Sequence, residues 1–224
     1  MKVLALETAT AACSVAVLDG AVLRAHRAVP MQRGHAEALM PMVEAAMAAA
    51  GLAHGDLDLV ATTVGPGSFT GLRVGLAAAR GIALAAGIPA LGVTTLEALA
   101  AGLDEDARAG APVAALLDAR RGEVYVQLFD ARAVARGAPV AVAPAAADLP
   151  DGPLVLVGAG APLVLAAQGA RPGWRPVETP RLPDAAAVAR LAARRFAEDP
   201  AAIRPPRPLY VRGHGARPPA ARWT

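Results

Sequence analysis

The chain has 224 residues, 55% of them hydrophobic and 18% charged, with mean hydropathy +0.40. That balance buries a core without staples and excludes a disordered chain. The formal net charge of +3 is unevenly spread: residues 204–224 hold Arg204, Arg207, Arg212, Arg217 and Arg222 and no acid, leaving 17 basic against 19 acidic residues before them. The body is therefore slightly acidic, and with only 3% aromatic residues it offers few platforms for stacking bases, which argues against autonomous RNA binding.

The most apolar run, Pro153 to Ala167, is broken by Gly158, Gly160 and Pro162, so no membrane span is expected. Glu7 interrupts the N-terminal apolar run, which speaks against a signal peptide and for a cytoplasmic protein. Cys13 is the single cysteine, so no disulfide within the chain is possible, and its strand-like surroundings read as a buried small hydrophobe.

In chain order, Val3–Leu6, Ser14–Leu18 and Val22–His26 predict a meander of three strands, the last two joined by an Asp19-Gly20 turn. A helix over Gly34–Ala50 ending at Gly51, a buried strand Leu59–Val64, a helix Thr70–Ala86 stopped by Gly87 and a strand Pro89–Val93 follow. Alternating strands and helices imply parallel pairing with crossovers, hence an α/β fold. Glu97–Gly102 starts a third helix, and the charged run Asp104–Gly110 with Pro112 marks a lobe boundary, giving a first lobe over 1–103 and a second over 104–208. In the second, Val113–Asp118 and Glu123–Phe129 form a hairpin around Ala119–Gly122, and Ala138–Pro150 reads as irregular. Leu154–Val157 is a strand and Asp184–Ala197 a helix capped by Asp184. Leu209–Val211 returns a strand to the first lobe, and a basic, proline-rich tail follows within 209–224. No internal repeat is visible.

The methionines other than the first, Met31, Met40, Met42 and Met47, cluster in or just before the first long helix. Between Leu39 and Ala50 the only charge is Glu44, so that helix needs cover on more than one side. Two readings stay open: a fully buried core helix, or a surface that repacks against a partner. On the second helix Gly71, Gly75 and Ala79 stand four apart, a smooth groove for another helix. Arg73 and Arg80 share one face there, as Glu37 and Glu44 do on the first helix, and these charges are expected at the rim of a helical interface. Between strand and helix, Gly65-Pro66-Gly67-Ser68-Phe69-Thr70-Gly71 reads equally as a structural turn or an anion contact. It lacks the Gly-Lys-Ser/Thr ending of a P-loop and the Gly-x-Ser-x-Gly spacing of a nucleophile elbow.

Leu6-Glu7-Thr8-Ala9-Thr10, Gly65 to Arg73 with Gly75, Asp118-Ala119-Arg120 with Glu123-Val124-Tyr125, and Pro208-Leu209-Tyr210-Val211-Arg212 together resemble the TsaB family. The resemblance implies an actin-like ATPase fold of two lobes, each with a mixed sheet and flanking helices. It also implies a non-catalytic relative of TsaD, the enzyme that attaches threonylcarbamoyl to adenosine 37 of transfer RNAs reading ANN codons. TsaD would bind the two long helices, through Met31, His35, Glu37, Leu39, Met40, Met42, Val43 and Met47 on one and Gly71, Leu72, Arg73, Gly75, Leu76, Ala79 and Arg80 on the other. A homodimer would use the same surface, the ATPase TsaE would join the pair, and tRNA would be met indirectly. Thr8, Gly65, Gly67, Ser68, Thr70, Asp118, Arg120 and Glu123 are expected as nucleotide or subunit contacts, with ADP or ATP bound only inside that complex.

Other classes leave weaker traces. TsaD carries a His-x-x-x-His metal pair where this chain has Thr94-Thr95-Leu96-Glu97-Ala98-Leu99, and His26, His35, His54 and His214 are not spaced to share a metal. An actin-like small-molecule kinase would place an Asp on the first strand to organise Mg²⁺, where Glu7 stands. Val157-Gly158-Ala159-Gly160-Ala161 could approach an adenosine or simply pack. For a peptidase, Ser14 and Ser68 are the only serines and neither lies in an acyl-transfer motif, while Asp118, Arg120 and Glu123 suit a solvated turn or a subunit contact.

Overall fold

The computed structural model describes residues 1–211, so His214 and the proline-rich tail with Arg212, Arg217 and Arg222 lie outside the described residues. Strands β1 (Lys2–Glu7), β2 (Ala12–Asp19), β3 (Val22–Pro30), β4 (Leu59–Thr63) and β5 (Ala90–Val93) form one mixed sheet in the order β3-β2-β1-β4-β5. β1 runs antiparallel to β2 and parallel to β4. A second sheet, β10-β9-β6-β7-β8, is built from β6 (Val113–Arg120), β7 (Glu123–Phe129), β8 (Ala135–Val142), β9 (Leu154–Val157) and β10 (Trp174–Pro176). Read from its meander outward it repeats the first: β6 is antiparallel to β7 and parallel to β9. The two mixed sheets with flanking helices give the α/β actin-like architecture expected from the motifs.

Helices α1 (His35–Ala50) and α2 (Phe69–Ala86) lie side by side on one face of the first sheet. α2 starts where the Ser68 hydroxyl accepts the Gly71 N–H and stops at Gly87, whose φ of 67° a side chain would resist. With 18 residues and mean hydropathy 1.3 it, and not Pro153–Ala167, is the described helix long and apolar enough to cross a membrane by length and composition. Its apolar side is packed on β4 of its own lobe.

The lobes exchange helices. α3 (Thr95–Ala101) packs Leu96 and Leu99 against Val113, Phe129 and Val155 of the second sheet, although it precedes the boundary at residue 103. α6 (Ala185–Glu198) puts Val188, Ala189 and Ala192 on Val3, Ala5 and Ala61 of the first sheet, although it lies within 104–208. Boundaries drawn along the chain therefore do not follow the packing, because β1 and β4 need cover on both faces and α1 with α2 supply only one. Glu97 joins the exchanged helices, accepting a 2.6 Å ion pair from Arg195 while its second oxygen takes the Thr94 N–H at 2.9 Å.

Several elements differ from expectation. β8 occupies part of the stretch expected to be irregular, and α4 (Glu105–Arg108), α5 (Ala161–Gln168) and β10 are additional. Leu209–Val211 forms no strand, yet the segment does return to the first lobe: Leu209 N–H donates to the Val64 carbonyl at 2.7 Å.

Candidate functional site

The loop after β1 and the start of α2 are fitted together by missing side chains. A Cβ on Gly67 would stand 2.3 Å from the Ala9 carbonyl, and one on Gly71 2.0 Å from that of Thr8. The Thr8 hydroxyl donates to the Gly71 carbonyl at 2.7 Å, and Ser68 N–H to that of Ala9 at 2.7 Å. Gly65, at φ 115°, leaves room for the Leu209 carbonyl. Close packing thus accounts for this glycine run, with Ser68 as helix cap; Thr8 is buried and Thr70 is exposed on the first turn of α2.

Between the lobes opens a cleft of about 550 Å³, lined by Thr10, Gln32, His35, Gly67, Ser68, Asp118, Arg120, Tyr125, Ala159 and Arg181 among others. Of the expected nucleotide or subunit contacts it gathers Gly67, Ser68, Asp118 and Arg120; Thr8, Gly65, Thr70 and Glu123 do not line it. Gln32 and Arg181 escaped sequence reasoning, since each is an isolated polar residue in a loop. Asp118 accepts the Arg120 N–H at 2.7 Å and its guanidinium at 3.4 Å, a solvent-facing arrangement at a hairpin turn, with Glu123 opposite Arg120 in the ladder. Gly158 and Gly160 are packing positions: a Cβ on either would meet the backbone of Leu116 or Leu117 within 3 Å.

Glu7 ends β1 beside this cleft but is fully buried. It accepts the Ala9 N–H at 2.8 Å and lies 3.3 and 3.4 Å from the hydroxyls of Thr63 and Thr10. Burial pushes its pKa up to about 8, opposed by those hydrogen bonds and aided by the charge of Asp184. The buried carboxyl thus holds its proton more tightly than an exposed carboxylate does. Burial, and then Glu7, push the Cys13 thiol up to about 11. Ser14 is buried and accepts the Ala185 N–H at 3.0 Å, while His35 points Nε2 at the carbonyls of Thr10 and Ala12. Among the described residues no three of His, Cys, Asp and Glu are grouped to hold a metal ion.

The α1–α2 face divides the residues expected at the interface into inward and outward sets. Leu39, Val43 and Met47 of α1 and Gly71, Leu72, Gly75, Leu76 and Ala79 of α2 are buried within their own lobe. The small-residue stripe does admit close approach, but to Thr8 and Thr62: a Cβ on Gly75 would lie 2.5 Å from the Thr8 hydroxyl. Met31 and Met42 are half-buried against the same core, and His35 holds the β1–β2 loop. Outward stand Glu37, Met40, Arg73 and Arg80, with Leu84, which is 85% exposed. The arginines are engaged by their own chain: Arg80 donates to the Pro206 carbonyl and Arg73 lies 3.7 Å over the Phe69 ring. Between the helices runs an apolar groove of about 500 Å³ lined by Met40, Ala78, Gly81, Ile82, Ala85 and Ala86 with His54 and Gly55. Sequence reasoning missed Leu84, Gly81 and Ala85, though Ala77, Gly81 and Ala85 repeat the four-residue spacing on the outer side.

A family profile described as TsaD, tRNA N6-adenosine threonylcarbamoyltransferase, matches residues 29–151. The chain is 42% identical over 125 residues to the tRNA threonylcarbamoyladenosine biosynthesis protein TsaB of Escherichia coli, covering 56% of this chain and 53% of that protein. It thus spans about half the length of that curated relative. An uncharacterised Mycobacterium tuberculosis protein is 38% identical over 218 residues, 96% of this chain and 94% of its own length. A solved Pseudomonas aeruginosa structure titled YeaZ superimposes with TM-score 0.80 at 30% identity, covering 93% of this chain and 99% of that one. A dehydratase activator from Clostridium difficile with bound ADPNP shares the fold at TM-score 0.51 and 10% identity.

Proposed function

The chain belongs to the TsaB family, and on that premise we propose that it is a cytoplasmic, non-catalytic subunit that docks onto TsaD in tRNA threonylcarbamoyladenosine synthesis. The observation that carries the reading is the outward side of α1 and α2, where Met40, 40% exposed, lines an apolar groove between the helices and Leu84, 85% exposed, stands elsewhere on the open side of α2. Burying Leu84 in a contact would contribute about 1.5–3 kcal/mol. A second copy of the chain would cover the same face when TsaD is absent, and TsaE would join the assembled pair.

The support role fits the chemistry of the cleft. Glu7, where a kinase would set a metal-organising Asp, is fully buried beside the cleft with its pKa raised by that burial, and both serines accept hydrogen bonds from backbone N–H groups. On the same reading ADP or ATP would bind only with TsaD and TsaE present.

The test is co-elution with purified TsaD in size-exclusion chromatography with light scattering. Leu84→Asp should weaken association at least ~10-fold, since it places a charge in an apolar contact. Equal association of variant and parent would end the proposal.

A further inference from the structure

Four strands stand at the edges of the two sheets, and three of them are guarded against further pairing. β5 has four residues and carries the returning chain on it: a Cβ on Gly92 would stand 3.2 Å from the Pro206 side chain. β10 has three residues and ends at Pro176. β8 has eight, but its register against β7 shifts between Val126 and Leu128, where Gly137 turns to φ 85° and Pro139 lacks an N–H. Short lengths, bulges and prolines are the devices by which sheets turn away unwanted strands. β3 differs. It has nine residues, pairs with β2 without a break over residues 25–30, and leaves Val22 58% and Val29 44% exposed.

The Met31 N–H donates to the Ala11 carbonyl at 3.1 Å, and by the alternation of an antiparallel ladder Val29, Arg27 and Ala25 also turn their N–H groups to β2. Those of Ala28 and His26 therefore point away from the sheet, with no strand of the described chain beyond them. Arg27 stands on the α1 side between Ala25 and Val29, since their partners Val15, Val17 and Cys13 belong to that cluster. Arg27, Arg24 and Arg33 in the following loop have no hydrogen-bond or ion-pair partner among the described residues. The Asp184 carboxylate near this edge is bound to His26 at 2.8 Å.

Like charges here repel a second copy of the edge, because Arg24 and Arg27 of both chains would be brought side by side, and they attract an extended segment that bears acids. We propose that the β3 edge binds an acidic peptide in extended form, added as a sixth strand beside residues 25–30. It sets a Glu or Asp against Arg27 and an apolar residue two positions to either side, against Ala25 and Val29. Backbone groups of His26 and Ala28 hold the strand, and the side chains of Ala25, Arg27 and Val29 select it. β3 lies three strands from β4, on which α2 packs, roughly 14 Å across the sheet, so this edge can be altered without touching Leu84.

The experiment is fluorescence anisotropy of the full-length chain with the labelled peptide Ser-Glu-Val-Thr-Glu-Thr-Val-Glu-Ser and with two versions N-methylated at alternate residues, odd or even. The unmodified peptide should bind, and the version blocked on its pairing edge should lose at least ~10-fold, the loss of the backbone bonds that hold the strand. Arg27→Glu should weaken binding at least ~5-fold, and a peptide with Lys for its central Glu should restore it on that variant alone. Ala28→Pro, which removes an outward N–H, should weaken binding as well. The methylated peptides are read on the unaltered chain, so a variant that fails to fold leaves the test intact. Equal binding of all three peptides, with oligouridylate displacing each, would reduce the edge to a bare charge contact and overturns the proposal. So does an edge-paired dimer in light scattering that Ala28→Pro dissolves, which would give the edge to a second copy of the chain.

Discussion

The two sheets share one topology and differ in what covers them. Between its third and fourth strands the first lobe carries the 16-residue α1, where the second has a single turn at Pro144–Ala146. Between the fourth and fifth strands stand the 18-residue α2 and the 8-residue α5. The strand ends diverge too: β1 ends in the sealed Glu7, while β6 presents Asp118 to solvent beside Arg120. The longer helices therefore sit over the first sheet, while the strand order is the same in both lobes.

The comparison is broken most strongly from within. Phe129→Ala, in the fully buried core of the second lobe, should cost about 3–5 kcal/mol in denaturant unfolding while leaving the α1–α2 face intact. Glu7→Gln separates the two strand ends through pH. The folded pKa of about 8 lies above the ordinary 4.5, so the folded state holds the proton more tightly. Stability from this group is complete below 4.5, falls as pH rises from there to about 8, and is flat beyond. The slope within that window approaches about 1.4 kcal/mol per pH unit and should vanish in the Gln variant, as chemical denaturation across pH would report. Asp118→Asn, at the matching end of β6, should leave that slope in place and change stability by less than about 1 kcal/mol. At the small end, Leu84→Asp should alter thermal stability of the isolated chain by no more than about 0.5 kcal/mol despite its effect on association.

Much of the first lobe was legible in the sequence because its strands are short apolar runs and its helices end at glycines with left-handed φ, Gly51 and Gly87. The second lobe was harder: β8 is written in Ala, Arg, Gly, Pro and Val and is largely exposed, so it shows no alternation of buried and open residues. The direction in which a helix faces was the main loss. Gly71, Gly75 and Ala79 do mark close packing, but spacing alone cannot say whether the approaching group is a partner helix or Thr8 of the same chain. Arg80 likewise reads as a rim charge until Pro206 is found beside it. The aromatic residues teach the opposite lesson, since composition counts them as few while the fold brings three of them, Phe69, Tyr125 and Tyr210, to one groove.

The exchange of α3 and α6 sets an order of events during synthesis. The first sheet is complete by Val93, yet the side that α6 will cover stays open until Ala185–Glu198 has been translated and can swing back. A ribosome must add almost half the protein with that greasy surface bare, the period when a nascent chain is most prone to aggregate. Neither half is therefore a natural fragment: a cut after residue 103 would strand β1 and β4 without one of their two walls.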